Sequence, residues 1–277
     1  MRKMIVSMVA VAALILPQAV SAKDAPKQLV INAVDAIFGA RDPAAVDRYL
    51  SATYRQHNPL VPDGPAALKA LIQQFKASPT YKYERFRVIA DGNLVAVHGR
   101  YTGIRPQPLV AFDLFLVKGG KIVEHWDALQ AEGSPNPSGR TMVDGPTEVT
   151  LGAPVEQNRA LVSAAMETIM IQNDFTRLGD FFDLTRYAQH NSQFPDGAAN
   201  LVGGLKQLKA AGRPLIYKKV HRVVAEGDFV LTQSEASLGG APFNVVDLFQ
   251  VASGKIVEHW DVLQPLPAKS VNTNSPF

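Results

Sequence analysis

The sequence predicts an α+β fold built twice: two tandem cone-shaped α+β barrels, each with three N-terminal helices packed on a curved antiparallel sheet. Three observations predict it. A long motif returns at a near-constant offset. Within each copy, apolar residues recur first at helical and then at strand spacing. A stretch rich in Gly, Pro, Ser and Thr separates the copies.

The repeat is domain-sized. GKIVEHWDALQ at Gly120 to Gln130 returns as GKIVEHWDVLQ at Gly254 to Gln264, offset by 134 with ten of eleven residues the same. YRQHNPLVPDG from Tyr54 pairs with YAQHNSQFPDG from Tyr187, offset 133, and FDLFLV from Phe112 with VDLFQV from Val246, offset 134. The period is too long for a solenoid and fits a duplicated domain. The expected organisation is an export signal at 1–22, a first domain at 23–130, a linker at 131–155, a second domain at 156–264 and a tail at 265–277.

In copy one, apolar residues at 29, 30, 33, 34, 37 and 38 make a helical stripe over Gln28 to Phe38. Asp42-Pro43 is a helix start, and Pro65 to Phe75 reads as a third helix after Asp63-Gly64. The period then changes to two. Phe86 to Val88, Leu94 to Arg100, Val110 to Val117 and Lys121 to Leu129 read as strands, with Asp91-Gly92 and Gly119-Gly120 as hairpin turns. Copy two repeats the plan, with a helix over Asn158 to Ile171 and turns at Glu226-Gly227 and Ser253-Gly254.

The N-terminus reads as a cleavable signal: Arg2 and Lys3, an apolar run from Met4 to Leu16, Pro17, and small residues ending at Ala22. A run this short does not suit a spanning helix. The expectation is a periplasmic or secreted protein, cut after Ala22, with no membrane attachment afterwards. Removing Arg2 and Lys3 takes the formal net charge from +3 to +1. No basic run with interleaved aromatics appears, so no nucleic-acid partner is expected. With no cysteine, disulfides and thiolate chemistry are excluded.

Strand alternation selects the candidate site. His125 and Asp127 share one face of their strand with Val123 and Leu129, and Trp126 lies on the other with Ile122. Asp113 and His98 sit among apolar neighbours on adjacent strands, and polar groups so placed need partners. His57 and Asn58 lie on the chain leading to the third helix. The expected pocket therefore holds His57, Asn58, His98, Asp113, His125 and Asp127. Its counterpart holds His190, Asn191, Gln233, Asp247, His259 and Asp261. Gln233 stands where copy one has His98 and carries no proton near neutral pH, so the pockets are expected to differ.

These motifs (YRQHNP, VAVHGRYTG and the DLF…GKIVEHWDxLQ block) resemble a SnoaL-like domain of the nuclear transport factor two-like superfamily, which includes ketosteroid isomerase, scytalone dehydratase and limonene epoxide hydrolase. The resemblance spans about Gln28 to Gln130 and Glu156 to Gln264. It implies a conical barrel with an apolar pocket. It also implies cofactor-free, metal-free chemistry of the aldol-condensation type, with the acid-base role falling on Asp127 and Asp261.

Several functions fit the sequence. The first is a cofactor-independent lyase, cyclase or isomerase acting on a small apolar carbonyl compound, with Asp127 and Asp261 as bases and His125 and His259 beside them. The second is a carrier that binds such a ligand unchanged, with a structural second domain. A zinc site built from His57, His98, His125 and a carboxylate is the least favoured, since no HxH or HxxxH spacing is present. Trp126 and Trp260, on the face away from the pocket, suggest that the two copies pair internally.

Overall fold

The computed structural model describes residues 25–277; the expected export signal and its cleavage point lie outside the described residues. The first unit begins with α1 (Ala25–Val34), which runs on through a π-helical turn at Asp35–Gly39. Next come α2 (Pro43–Tyr49), β1 (Leu50–Gln56), α3 (Pro65–Ala77), β2 (Lys82–Asp91), β3 (Leu94–Thr102), β4 (Leu109–Lys118) and β5 (Lys121–Ala131). Asp42 caps α2 by accepting the Ala44 N–H at 2.9 Å, and Pro43 opens the helix where no donor is needed.

The second unit follows the same plan. It contains α4 (Val155–Ala165) with a π-helical turn at Met166–Ile171, α5 (Leu178–Phe181), β6 (Ala188–Gln189), α6 (Ala198–Ala210), β7 (Leu215–Glu226), β8 (Phe229–Leu238), β9 (Ala241–Ala252) and β10 (Lys255–Pro265). The two sheets have matching orders, β1-β5-β4-β3-β2 and β6-β10-β9-β8-β7.

Each sheet is mixed rather than purely antiparallel. β1 runs parallel to β5, and β6 parallel to β10. Strand β1 is hidden in the sequence because Ser51 to Thr53 are not buried and give no apolar alternation. A bulge in β5 between Ile122 and Glu124 corrects a second expectation. The extra residue turns Ile122 onto the helix side together with His125, where it joins the core.

Each unit has its own core between helices and sheet. A third core lies between the outer faces of the two sheets and includes Phe112, Leu114, Trp126, Phe229, Leu248 and Trp260. The contacts are reciprocal. The Arg222 guanidinium lies 3.8 Å from the Trp126 ring centre, and Arg87 lies 4.2 Å from that of Trp260. His57 and His190 stack on the same two rings at 4.3 and 4.6 Å. Groups that close must take opposite faces, so each indole is held between a histidine of its own unit and an arginine of the other.

The connecting segments also cross over. The stretch after β5 runs across the second unit, where Asn136 donates to the Gln189 and Phe194 carbonyls and Arg140 pairs with Asp196. The C-terminal tail returns to the first unit. Asn272 donates to the carbonyls of Asn58 and Val61 at 2.7 and 2.8 Å, and Asn274 to that of Gln56 at 2.8 Å.

Candidate active site

The helices and sheet of the first unit, with Leu263, Gln264 and Pro265 of the second, line an open cavity of about 590 Å³. Its floor is set by register: Asp113 on β4 is the direct partner of Asp127 on β5, and Phe115 that of His125. Asn58 follows β1 at the neighbouring edge. The Asn58 side-chain amide donates to Asp127 Oδ2 at 3.0 Å. His125 Nε2 donates to Asp113 Oδ1 at 3.1 Å, and the Tyr101 hydroxyl donates to Asp113 Oδ2 at 3.1 Å.

His125 Nδ1 lies 3.2 Å from Gln56 Oε1. That oxygen also accepts the Asn58 N–H at 2.9 Å, which fixes the orientation of the amide. His125 thus faces an acceptor at each nitrogen, an arrangement that favours the protonated ring. Burial alone would lower its pKa, but the bond to Asp113 and the charges of Asp127 and Asp113 outweigh it, so the net shift is upward.

Asp127 differs from Asp113 in its bonding, since both Asp113 oxygens are taken by His125 and Tyr101. Asp127 Oδ1 is buried and has no hydrogen-bond partner. Burial and the Asp113 charge raise the Asp127 pKa against the opposing effects of His125 and Asn58, to about 6. A carboxylate so raised is ionised at neutral pH yet more basic than an exposed one.

The second unit repeats the arrangement. His259 lies 3.0 Å from Asp247 and 3.1 Å from Gln189, Asn191 donates to Asp261, and the Asp261 pKa rises to about 6, chiefly by burial. Two things differ. Asn191 reaches both Asp261 oxygens, at 3.0 and 2.8 Å, so neither is left free. The cavity shrinks to about 180 Å³, because Phe194 and Phe243 stand where the first unit has Val61 and Leu109.

Four expected pocket residues lie elsewhere. His57 points to the outer face, where it stacks on Trp126, contacts Glu124 at 2.9 Å and donates to the Ser275 carbonyl at 2.7 Å. His190 does the same against Trp260, Glu258 and Thr141. The reason is alternation: Gln56 and Asn58 face the cavity, so His57 between them cannot.

His98 is buried between the sheets. It stacks on Phe112 at 4.3 Å and accepts from Arg87 at 3.0 Å. Burial and the Arg87 charge hold its pKa well below the usual histidine value. Gln233 replaces it as acceptor for Arg222, at 2.8 Å. The His98-to-Gln233 difference therefore preserves an interface bond and says nothing about the cavities.

The structure adds residues that were not expected. Gln56 and Gln189 were legible, since both copies read Tyr-x-Gln-His-Asn and alternation places Gln with Asn. Tyr101 and Tyr217 were not. They donate to Asp113 and Asp247 from non-equivalent strands, β3 and β7, so repeat matching could not pair them.

Asp113, His125 and Asp127 each bring a ligand-type atom within 4.8 Å of the others, as do Asp247, His259 and Asp261. Among these atoms of the first triad only Asp127 Oδ1 is uncommitted. A cation there would compete with the bonds that align His125.

Residues 30–125 match the model of the SnoaL-like domain family. Solved structures that match part of the chain include TsrD from Streptomyces laurentii, at 21% identity and a TM-score of 0.34 over 38% of this chain and 89% of that one. A candidate ketosteroid isomerase from Kribbella flavida matches at 17% identity and a TM-score of 0.36, over 42% of this chain and 87% of that one. A candidate polyketide cyclase from Bacillus cereus matches at 21% identity and a TM-score of 0.35, over 38% and 74%. No curated protein sequence matches the chain.

Proposed function

We propose that this protein, a SnoaL-like protein by residues 30–125, binds a small apolar carbonyl compound in its first cavity and removes a proton α to the carbonyl with Asp127. The observation that carries this reading is the free Oδ1 of Asp127, buried in an apolar cup with its pKa raised to about 6. The C–H bond breaks, the proton passes to Oδ1, and the electron pair moves to the carbonyl oxygen as an enolate. The His125 imidazolium offsets the developing negative charge. Gln130 and Gln264 line the cavity and spend their side-chain oxygens on the N–H groups of Leu263 and Leu129, leaving both NH₂ groups for a ligand oxygen. The enolate then takes the proton back from Asp127 at another carbon, an isomerisation, or attacks a second carbonyl in the same molecule, an aldol closure in which the new alkoxide takes the proton from Asp127. No cofactor enters these steps.

The N-terminal segment supports export, and N-terminal sequencing of the protein from its host tests cleavage after Ala22. The reaction is tested by α-deuterium uptake into 2-tetralone in D₂O. Uptake above the buffer rate that disappears in Asp127→Asn is the expected result; equal uptake with the variant sinks the proposal. A carrier role is the second reading, favoured by the second cavity, where Asn191 occupies both oxygens of the equivalent acid. Native mass spectrometry of host-purified protein distinguishes it by an unchanged, stoichiometric ligand.

A further inference from the structure

We infer that both cavities are built for an amphipathic acid, with its apolar body in the cup and its carboxylate at the rim on Arg105 in the first unit and on Arg213 in the second. For the first cavity, this rests on the carbonyl-ligand reading above and narrows it to an apolar oxo acid.

The arginines single themselves out by what they lack. Among the described residues, every other arginine has an ion pair or a side-chain hydrogen bond. Most pair with carboxylates. The rest hold Ser78, Asn274, the Pro146 carbonyl or Gln233. Arg105 and Arg213 have neither, and each lines one of the two cavities.

Their placement strengthens the inference. They are not repeat equivalents: Arg105 lies between β3 and β4, and Arg213 between α6 and β7. Yet these loops meet at one corner of the rim. A side chain on Gly103, two residues before Arg105, would strike the backbone of Thr80 between α3 and β2, and one on Gly239 would touch Arg213. The first unit reaches this corner with a longer β3–β4 loop. The second has only Gly239 and Gly240 there and supplies its arginine from the neighbouring connection. Two different loops thus deliver a guanidinium to the same corner.

The surroundings suit a carboxylate. Ile104 and Leu60 are exposed large apolar residues and line the same cavity, giving an apolar neck beside the charge. The guanidinium offers a planar fork that matches a carboxylate. The acids in the lining, Asp113 and Asp127, lie at the floor and are bonded there to Tyr101, His125 and Asn58.

The test compares decanoate with decanamide by calorimetry on the full chain, in wild type, Arg105→Gln, Arg213→Gln and the double variant. Rim pairs are partly solvated, so decanoate is expected to bind wild type about fivefold more tightly than the amide. That preference should fall in each single variant at its own cavity and vanish in the double one, while amide binding stays unchanged. Equal binding of acid and amide to wild type, or a preference untouched in the double variant, overturns the inference alone. Failure of wild type to bind either probe overturns it together with the apolar-cup reading.

Discussion

Asn58 donates its side-chain amide to one oxygen of Asp127 at 3.0 Å, and the other oxygen of that carboxylate is buried without a partner. One bond thus fixes the acid while its other oxygen stays uncommitted. The chemistry proposed for this protein depends on that asymmetry, which the second cavity lacks.

Burying this acid has a thermodynamic cost. The folded pKa of Asp127 is raised to about 6, so its protonated form is favoured in the fold. Stability from this group is complete below its unfolded pKa and is lost as pH rises through about 6. Asp127→Asn should therefore stabilise the protein at pH 7, by about 1 to 3 kcal/mol. The gain should fade below about pH 4. Urea unfolding at both pH values checks this, and a variant less stable at pH 7 would contradict it.

Asn58 lowers the Asp127 pKa by bonding to its charged form. Asn58→Ala should move the acid limb of the deuterium-uptake profile to higher pH, by about one unit. A purely structural role for Asn58 would lower the rate at all pH values without moving the limb.

Among the side chains in which the cavities differ are Val61 and Leu109, whose counterparts are Phe194 and Phe243. Introducing Val61→Phe and Leu109→Phe together should narrow the first cavity towards the size of the second. Binding of 2-naphthol, an enol mimic of 2-tetralone, should weaken roughly tenfold or more. The thermal midpoint should hold, because the added rings fill space rather than displace packed atoms. Calorimetry and a melting curve report the two effects separately.

The tail of the second unit braces the first. Ending the chain before Ser270 removes the bonds from Asn272 and Asn274 to the backbone of Gln56, Asn58 and Val61, and frees His57 from Ser275. Hydrogen bonds of this kind contribute about 1 kcal/mol each. The truncated protein should lose about 2 to 4 kcal/mol and bind 2-naphthol more weakly, while Asp261 in the second cavity keeps its titration.

Much of this was legible from the sequence, for physical reasons. The internal repeat and the change of period from helix to strand specify the fold class, and alternation along β4 and β5 places Asp113, His125 and Asp127 together. The edge strand β1 escaped because its middle residues carry no burial pattern. That omission misplaced His57 and His190, whose direction depends on belonging to a strand that also carries Gln56 or Gln189. His98 misled for a different reason. Both faces of β3 are buried, one by the helices and one by the other unit's sheet, so a polar residue among apolar neighbours did not reveal which face it used. Tertiary packing alone distinguishes them.

The most direct measurement is a carboxyl ¹³C NMR titration of the full-length protein, with Asp127 assigned by its disappearance in Asp127→Asn. A midpoint near 6, raised by burial and by Asp113, is the expected result. A midpoint near 4, the ordinary aspartate range, would show a solvated carboxylate with no special basicity and would contradict the proposed role of Asp127 as a buried base.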